Sequence, residues 1–462
     1  MNLSFRKCIL WAILFFASLS LLIIYGLPSN KTSRMQEIVK WYVDNNHFMG
    51  AVLVAQDKQM LVNQGYGYSE VEWKAPNSET TKFRLGSISK QFTATAILLL
   101  EEQGKLNVND LVKSHMPNTP ASWDKITIFN LLTHTSGIPN YTAFSNFKEI
   151  SVNAITPEKL IALFREKPLN FKPGEKWEYS NSGYEVLGFL IEKISGESYQ
   201  HFIVNHIFKP LGMNDSGYDS NSEIIMRRAS GYSFGPEGLR NADFINMSVP
   251  YAAGGIYSTT PDLLRWEQGL FGGKILSAKS LEKMITPFKS NYGFGLEIQK
   301  IDDHLSISHG GGVNGFITMM IHYPDNKLNV IVLSNNDSAS GTQNMATKLA
   351  AVAQGKSAIL LSERKEVTIS PNILGKYVGT YKFTEFQFVL TLENSHLMAQ
   401  IVTNQPQKGQ NQPKSQLYPE SETSFFTKTP ESQIQFLKNK KGDISRMVFR
   451  PNDVDYIGVR VQ

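Results

Sequence analysis

Three short patterns lie in a fixed order along the chain: Ser87-Ile88-Ser89-Lys90, Tyr179-Ser180-Asn181 and His309-Gly310-Gly311. Together they hold the parts of a serine nucleophile activated by lysine and tyrosine. A serine hydroxyl attacks poorly until a nearby base takes its proton. Lys90 can be that base once partial burial and cationic neighbours lower its pKa. Tyr179 can relay hydrogen between the lysine and a departing amine or alkoxide, help of a kind typically worth roughly 10²–10⁴-fold. Asn181 offers both a donor and an acceptor to a substrate amide. Backbone N–H groups beside Ser87 and in the run Gly310-Gly311-Gly312 could hold a developing oxyanion, where losing one donor typically costs roughly 2.7–4 kcal/mol of barrier. The glycines also let a substrate backbone lie close against a strand edge, with the His309 imidazole expected at the mouth of that edge.

Each pattern has a plain structural reading as well. Ser-x-x-Lys also occurs at Ser4, Ser122, Ser145, Ser280 and Ser362, and serine is a favoured helix N-cap. Context selects Ser87: a polar turn precedes it, and a helix-forming run to Gln103, stopped by Gly104, follows. On a helix, residues three apart share a face with Cβ atoms roughly 5–6 Å apart, so the Lys90 amine can reach the Ser87 hydroxyl. Tyr-x-Asn and His-x-Gly each occur once in the chain. Tyr179-Ser180-Asn181 could be a plain loop before a helix from Tyr184 to Ser195, and His309-Gly310-Gly311 a tight turn into a strand. Three such nulls in this order are less economical than one site. No Gly-x-Ser-x-Gly elbow is present, against an α/β-hydrolase. His134-Thr135-Ser136-Gly137 reads as a helix end and turn with a structural role, and His201, His206 and His322 read as packing or surface residues.

The elements that must position these groups follow from periodicity. An amphipathic helix is expected over Thr32 to Asn46, and a hairpin from Ala51 to Ala55 and Met60 to Asn63. A mostly helical region runs from about Ser87 to Met213. Strands return at Asn291 to Ile298, Leu305 to Ser308, Gly315 to His322 and Leu328 to Leu333. That order describes an α+β fold, one sheet completed by both ends of the segment with a helical insertion between. From 371 to 462, eight short strand-like runs suggest a small antiparallel barrel or sandwich, with a polar loop at Gln405 to Gln416.

At 462 residues two or three domains are expected. The net charge of +5 has no cluster behind it, so no nucleic-acid partner is expected. Arg6 and Lys7 precede an uncharged apolar run from Cys8 to Leu27. Residues 1–28 therefore read as a signal peptide or membrane anchor, an uncleaved anchor being favoured, which places residue 29 onward outside the cytoplasmic membrane. Cys8 is the only cysteine, and the histidines have no metal-site spacing, so no disulfide, metal or cofactor is expected.

On these motifs, with Phe83-Arg84-Leu85-Gly86, Leu131-Leu132-Thr133-His134, Pro173-Gly174, Pro210-Leu211-Gly212-Met213 and Ala253-Gly254-Gly255, residues 31 to about 355 resemble the serine beta-lactamase-like hydrolases. The branch is that of class C beta-lactamases, DD-peptidases, D-aminopeptidases and related esterases. The resemblance implies an antiparallel sheet flanked by helices and joined to a helical lobe, in a domain over 31–360, with a lipocalin-like barrel at 371–462. It implies Ser87 as acylated nucleophile, Lys90 and Tyr179 as the proton-transfer pair, Asn181 in contact with substrate, and the N–H groups of Ser87 and Gly312 as oxyanion hole. His309 stands where many beta-lactamases carry the lysine of Lys-Thr-Gly. A histidine is mostly neutral near pH 7, so a carboxylate-bearing substrate loses its permanent cation there. The expected activity is an exported hydrolase acting on a small-molecule or peptide substrate: a beta-lactam, a D-amino-acid peptide or a small ester. A carboxylesterase and a penicillin-binding envelope module without turnover are the alternatives.

Overall fold

A computed structural model describes residues 30–461 except 236, 302, 338, 385, 404–412 and 452–454. The export segment expected over 1–28 lies outside the described residues, as does most of the polar loop at 405–416.

Helix α1 (Asn30–Asp44) buries Met35, Ile38, Val39 and Tyr42, a spacing of three and four that makes one apolar stripe. It leads into the hairpin β1 (Gly50–Gln56) and β2 (Gln59–Tyr66). The later strands are β3 (Glu297–Ile301), β4 (His304–Val313), β5 (Phe316–Tyr323) and β6 (Leu328–Ser334). They join the hairpin in one antiparallel sheet of order β3-β4-β5-β6-β1-β2. Strand β1, next to the edge strand β2, pairs with β6 from Gly50↔Ser334 to Gln56↔Leu328, so the two distant parts of the chain meet inside the sheet.

Side chains alternate across the pleat. Val52, Val54, Val330 and Val332 face a layer made by α1 and by α2 (Ala339–Ala353). Ala51, Leu53, Ile331 and Leu333 face the helical lobe. Burial on both faces explains why β6 reads Leu-Asn-Val-Ile-Val-Leu-Ser rather than as a polar–apolar alternation. The lobe presents two helices to the site, Ser89–Glu102 and Asn181–Ser195, both largely buried.

Eight strands from Gly379–Lys382 to Tyr456–Arg460 close into an antiparallel barrel in chain order, the last pairing with the first through Tyr381↔Arg460. Its interior is filled by Tyr381, Phe388, Leu390, Phe425, Phe436 and their neighbours. The barrel docks on the α1–α2 layer. Glu431 accepts from Lys348 at 2.9 Å and from the Tyr42 hydroxyl at 3.2 Å.

Two strand boundaries beside the site differ from those the sequence predicts. Residues 291–296 are not strand: Gly293 and Gly295 turn the backbone, and Gly295 (φ +71°) passes so close to the Lys90 carbonyl that a Cβ would lie 2.7 Å from it. The strand expected to end at Ser308 continues to Val313. His309-Gly310-Gly311 is therefore part of β4 and not a turn before a strand.

Candidate active site

Ser87 lies on a single 3-10 turn, Gly86–Ile88, one turn ahead of the helix expected to begin with it, and makes no capping hydrogen bond. That removes the N-cap reading of this serine. The turn is held from both sides. The Leu85 N–H donates to Ile256 O at 2.8 Å, and the Leu85 carbonyl accepts from the Thr318 hydroxyl on β5 at 2.7 Å. Gly311, paired with Thr318 across the sheet, leaves room for that carbonyl: a Cβ on it would fall 1.9 Å from Leu85 O. Gly86 has φ +55°, and a Cβ there would fall 2.6 Å from the Gly312 nitrogen. Two glycines thus let the nucleophile turn and the β4 edge meet backbone to backbone, which places the Gly312 N–H beside the Ser87 turn.

Lys90 sits on the first turn of the following helix and is fully buried. Its Nζ lies 3.0 Å from Ser87 Oγ, 2.8 Å from Asn181 Oδ1 and 2.9 Å from Ala253 O. The amide and carbonyl oxygens can only accept, so they take two N–H bonds from the amine. An uncharged amine has two hydrogens for them and a lone pair left for the Ser87 hydroxyl. Burial pushes the lysine pKa down to about 7, and a charge on Glu185 would act in the opposite sense. The cationic neighbours expected to lower it are absent among the described residues around the amine; desolvation does so.

Tyr179 brings its ring within 4.9 Å of the Lys90 nitrogen, measured to the ring centroid. Burial pushes the phenol well above its ordinary pKa, while its interaction with the Ser87 hydroxyl pulls the other way. Tyr179 therefore keeps its proton at neutral pH. Its ring packs on His134, 4.3 Å between centroids, and the His134 Nδ1 accepts the Ser180 N–H at 3.2 Å. The structural role read for His134 thus consists of backing Tyr179 and fixing the loop that carries it.

Asn181 opens its helix. Its Oδ1 is on Lys90, its Nδ2 donates to the Thr142 hydroxyl at 3.2 Å and its N–H donates to Asn140 Oδ1 at 3.2 Å. Ser87 and Asn181 open onto a cleft of about 200 Å³, with Tyr141, Phe147, Val249 and Gly312 among its walls. No lysine or arginine lines it among the described residues.

His309 is not at the mouth of this cleft. It is buried under β4, and both ring nitrogens are taken: Nε2 faces the Tyr292 hydroxyl at 2.9 Å and Nδ1 the Gly310 carbonyl at 2.5 Å. The carbonyl must accept from Nδ1–H, so Nε2 accepts from Tyr292. Burial pushes the imidazole pKa down to about 4, and a charge on Lys90 would lower it further. His309 is a neutral brace, Gly311 packs against the Leu85 carbonyl, and Gly312, rather than Gly310 or Gly311, lines the cleft. His322 is buried with its ring stacked on Phe271, and His201 is exposed.

Sequence reasoning missed four contributors. The Ala253 carbonyl sits in the landmark Ala253-Gly254-Gly255, to which no role was assigned. Asn140 and Thr142 lie just beyond His134-Thr135-Ser136-Gly137, with nothing to single them out. Glu185 had a signal: an acid four residues after Asn181, inside an otherwise apolar helical run.

A family model described as Beta-lactamase matches residues 35–354. The chain belongs to the Beta-lactamase family. As a member it is a serine hydrolase with the beta-lactamase/penicillin-binding-protein fold, carrying a closed eight-stranded antiparallel barrel at its C-terminus. Penicillin-binding protein 4* of Bacillus subtilis (strain 168) is 32% identical over 441 residues, covering 89% of this chain and 94% of that protein. The octameric penicillin-binding protein homologue from Pyrococcus abyssi superposes with a TM-score of 0.66 at 26% identity, covering 93% of this chain and 99% of that one. A D-stereospecific amidohydrolase from Streptomyces sp. does so with a TM-score of 0.61 at 25% identity, over 70% of this family member and 99% of its own chain.

Proposed function

We propose that this protein is an exported hydrolase that forms an acyl-enzyme on Ser87 and releases it to water, cleaving an amide or ester bond in a D-amino-acid peptide or amide, with beta-lactams as acylating analogues. The observation that carries this reading is the Lys90 amine, whose two fixed acceptors leave its lone pair for the Ser87 hydroxyl. Lys90 takes the serine proton as Ser87 attacks the carbonyl carbon, and the N–H groups of Ser87 and Gly312 receive the oxyanion. Tyr179, a neutral phenol, gives its proton to the leaving group and is reprotonated from Lys90. One residue pushed towards its base form and its neighbour held in its acid form is the division of labour that acid–base catalysis needs. Deacylation runs the same path with water in place of the leaving group. The Asn181 amide aligns the substrate. His309, Gly310 and Gly311 act from below, as brace and edge.

The cleft favours an uncharged partner over a terminal carboxylate, since no lysine or arginine lines it and His309 has no free donor. This supports a D-amino-acid amidase, D-aminopeptidase or esterase over a carboxypeptidase. The apolar run from Cys8 to Leu27 supports export, with residue 29 onward outside the cytoplasmic membrane. Turnover of D-phenylalanine amide, its ethyl ester and a D-alanyl-D-alanine peptide by the parent and by Ser87→Ala tests the reading. The first two are expected to be hydrolysed faster than the third, and only by the parent. Preference for the free carboxylate would overturn the substrate assignment, and turnover by the variant would overturn the mechanism.

A further inference from the structure

Glu185 is a fully buried carboxyl on the Asn181–Ser195 helix, one turn from Asn181. Its Oε2 accepts the Ala252 N–H at 3.1 Å, and its Oε1 lies 3.0 Å from the Tyr141 hydroxyl. The Tyr141 oxygen also lies 2.7 Å from the carbonyl of Val249. A phenol has one proton, and a carbonyl can only accept. The shorter contact therefore takes the tyrosine proton, and the bond between Tyr141 and Glu185 needs a second proton, which only the carboxyl can supply. Two residues of one short helical turn then link the acid to the base: Ala252 donates to Glu185, and the next carbonyl, Ala253 O, accepts from Lys90. No ion pair joins Glu185 and Lys90 directly.

We propose that Glu185 is a positioning residue, held as a neutral carboxylic acid between Tyr141 and the Ala252 amide, and that this neutrality leaves the Lys90 amine uncharged and basic while the clamped turn aims the Ala253 carbonyl at it. The inference rests on the Ser87–Lys90 reading for its catalytic consequence, though the protonation state of Glu185 does not depend on that reading. Burial favours the same state and outweighs the opposing pull of Tyr141, of a charge on Lys90 and of the Ala252 and Ala253 N–H groups, pushing the carboxyl pKa up to about 8. The groups that face the pair are Tyr141, Tyr199 and Tyr218 around Glu185, and Tyr179, Tyr184, His134 and His309 around Lys90. The tyrosines are pushed up and the histidines down, so none brings a compensating charge at neutral pH. An ionised Glu185 would act on the amine directly and would hold a proton on Lys90. Tyr141 is also a wall of the substrate cleft, so the phenol stands between the acid and the pocket.

Two measurements test this on the full-length protein. Infrared difference spectra of the parent against Glu185→Gln at pH 7 are expected to show the carbonyl stretch of a protonated carboxylic acid in the parent alone, disappearing as the pH is raised. A carboxylate band in its place overturns the proposal whether or not the enzyme has been given a substrate it turns over. For the catalytic part, glutamine can donate to Tyr141 and accept from Ala252 as the protonated acid does, whereas alanine can do neither. Glu185→Ala is expected to lower kcat by about tenfold or more, as one unmet buried donor would, and Glu185→Gln to recover most of that loss. Equal impairment of the two variants, each folded by circular dichroism, contradicts the positioning role. If Glu185→Ala fails to fold, the infrared result on Glu185→Gln decides alone.

Discussion

Burial acts in opposite senses on the two proton carriers beside Ser87, lowering Lys90 to about 7 and raising Tyr179. A protonated amine cannot accept the serine proton, so kcat/KM should climb with pH through an inflection near the Lys90 value and fall by about tenfold per unit below it. A pH profile of acylation measured under single-turnover conditions checks this, and a limb that instead rises only above pH 9 would place the base elsewhere. Tyr179→Phe keeps the ring that packs on His134 and removes only the phenol hydroxyl. It should lower kcat by about 10²-fold or more with little change in KM. Steady-state kinetics with the most poorly activated amide substrate give the clearest reading, because leaving-group protonation matters most there.

Backbone contact between the nucleophile turn and the edge of β4 positions these side chains. Gly86→Ala forces a Cβ into a left-handed conformation and against the Gly312 nitrogen. It should cost about 1–3 kcal/mol of stability, a lower thermal midpoint, and slow acylation further by moving the edge away from Ser87. Ser-x-x-Lys, Tyr-x-Asn and a single sheet completed by both ends of the segment were legible in the sequence, because each rests on local spacing or on runs of apolar residues. The continuation of β4 through His309-Gly310-Gly311 was not, since three glycines within four residues read as a turn, whereas the fold uses them for close approach to Leu85 and Gly86. Nor was the loss of strand at 291–296, where Gly295 yields to the Lys90 backbone. The orientation of His309 depends on Tyr292, seventeen residues away in sequence, and no periodicity reports such a pair.

At the scale of the whole molecule the sheet separates two functions. The cleft opens on the lobe side, and the barrel docks on the opposite α1–α2 layer through Glu431, whose ion pair with Lys348 leaves the side chains 9% and 13% exposed. Removing one partner of a buried pair strands the other charge, at a typical cost of about 3–5 kcal/mol. Glu431→Ala should therefore loosen the barrel, seen as faster proteolysis in the segment around 361–371, while the rate of Ser87 acylation stays that of the parent. A slowed acylation would show that the barrel supports the site. Among the described residues the barrel interior holds a packed apolar cluster, which strand count alone does not report.

The most direct test of a Ser87 acyl-enzyme is time-resolved intact mass of the full-length protein mixed with a penicillin, with Ser87→Ala alongside. The account predicts a gain of one penicillin mass on the parent, decaying as the ester is hydrolysed, and no gain on the variant. An adduct that survives in Ser87→Ala, or a folded parent that never forms one, would contradict it.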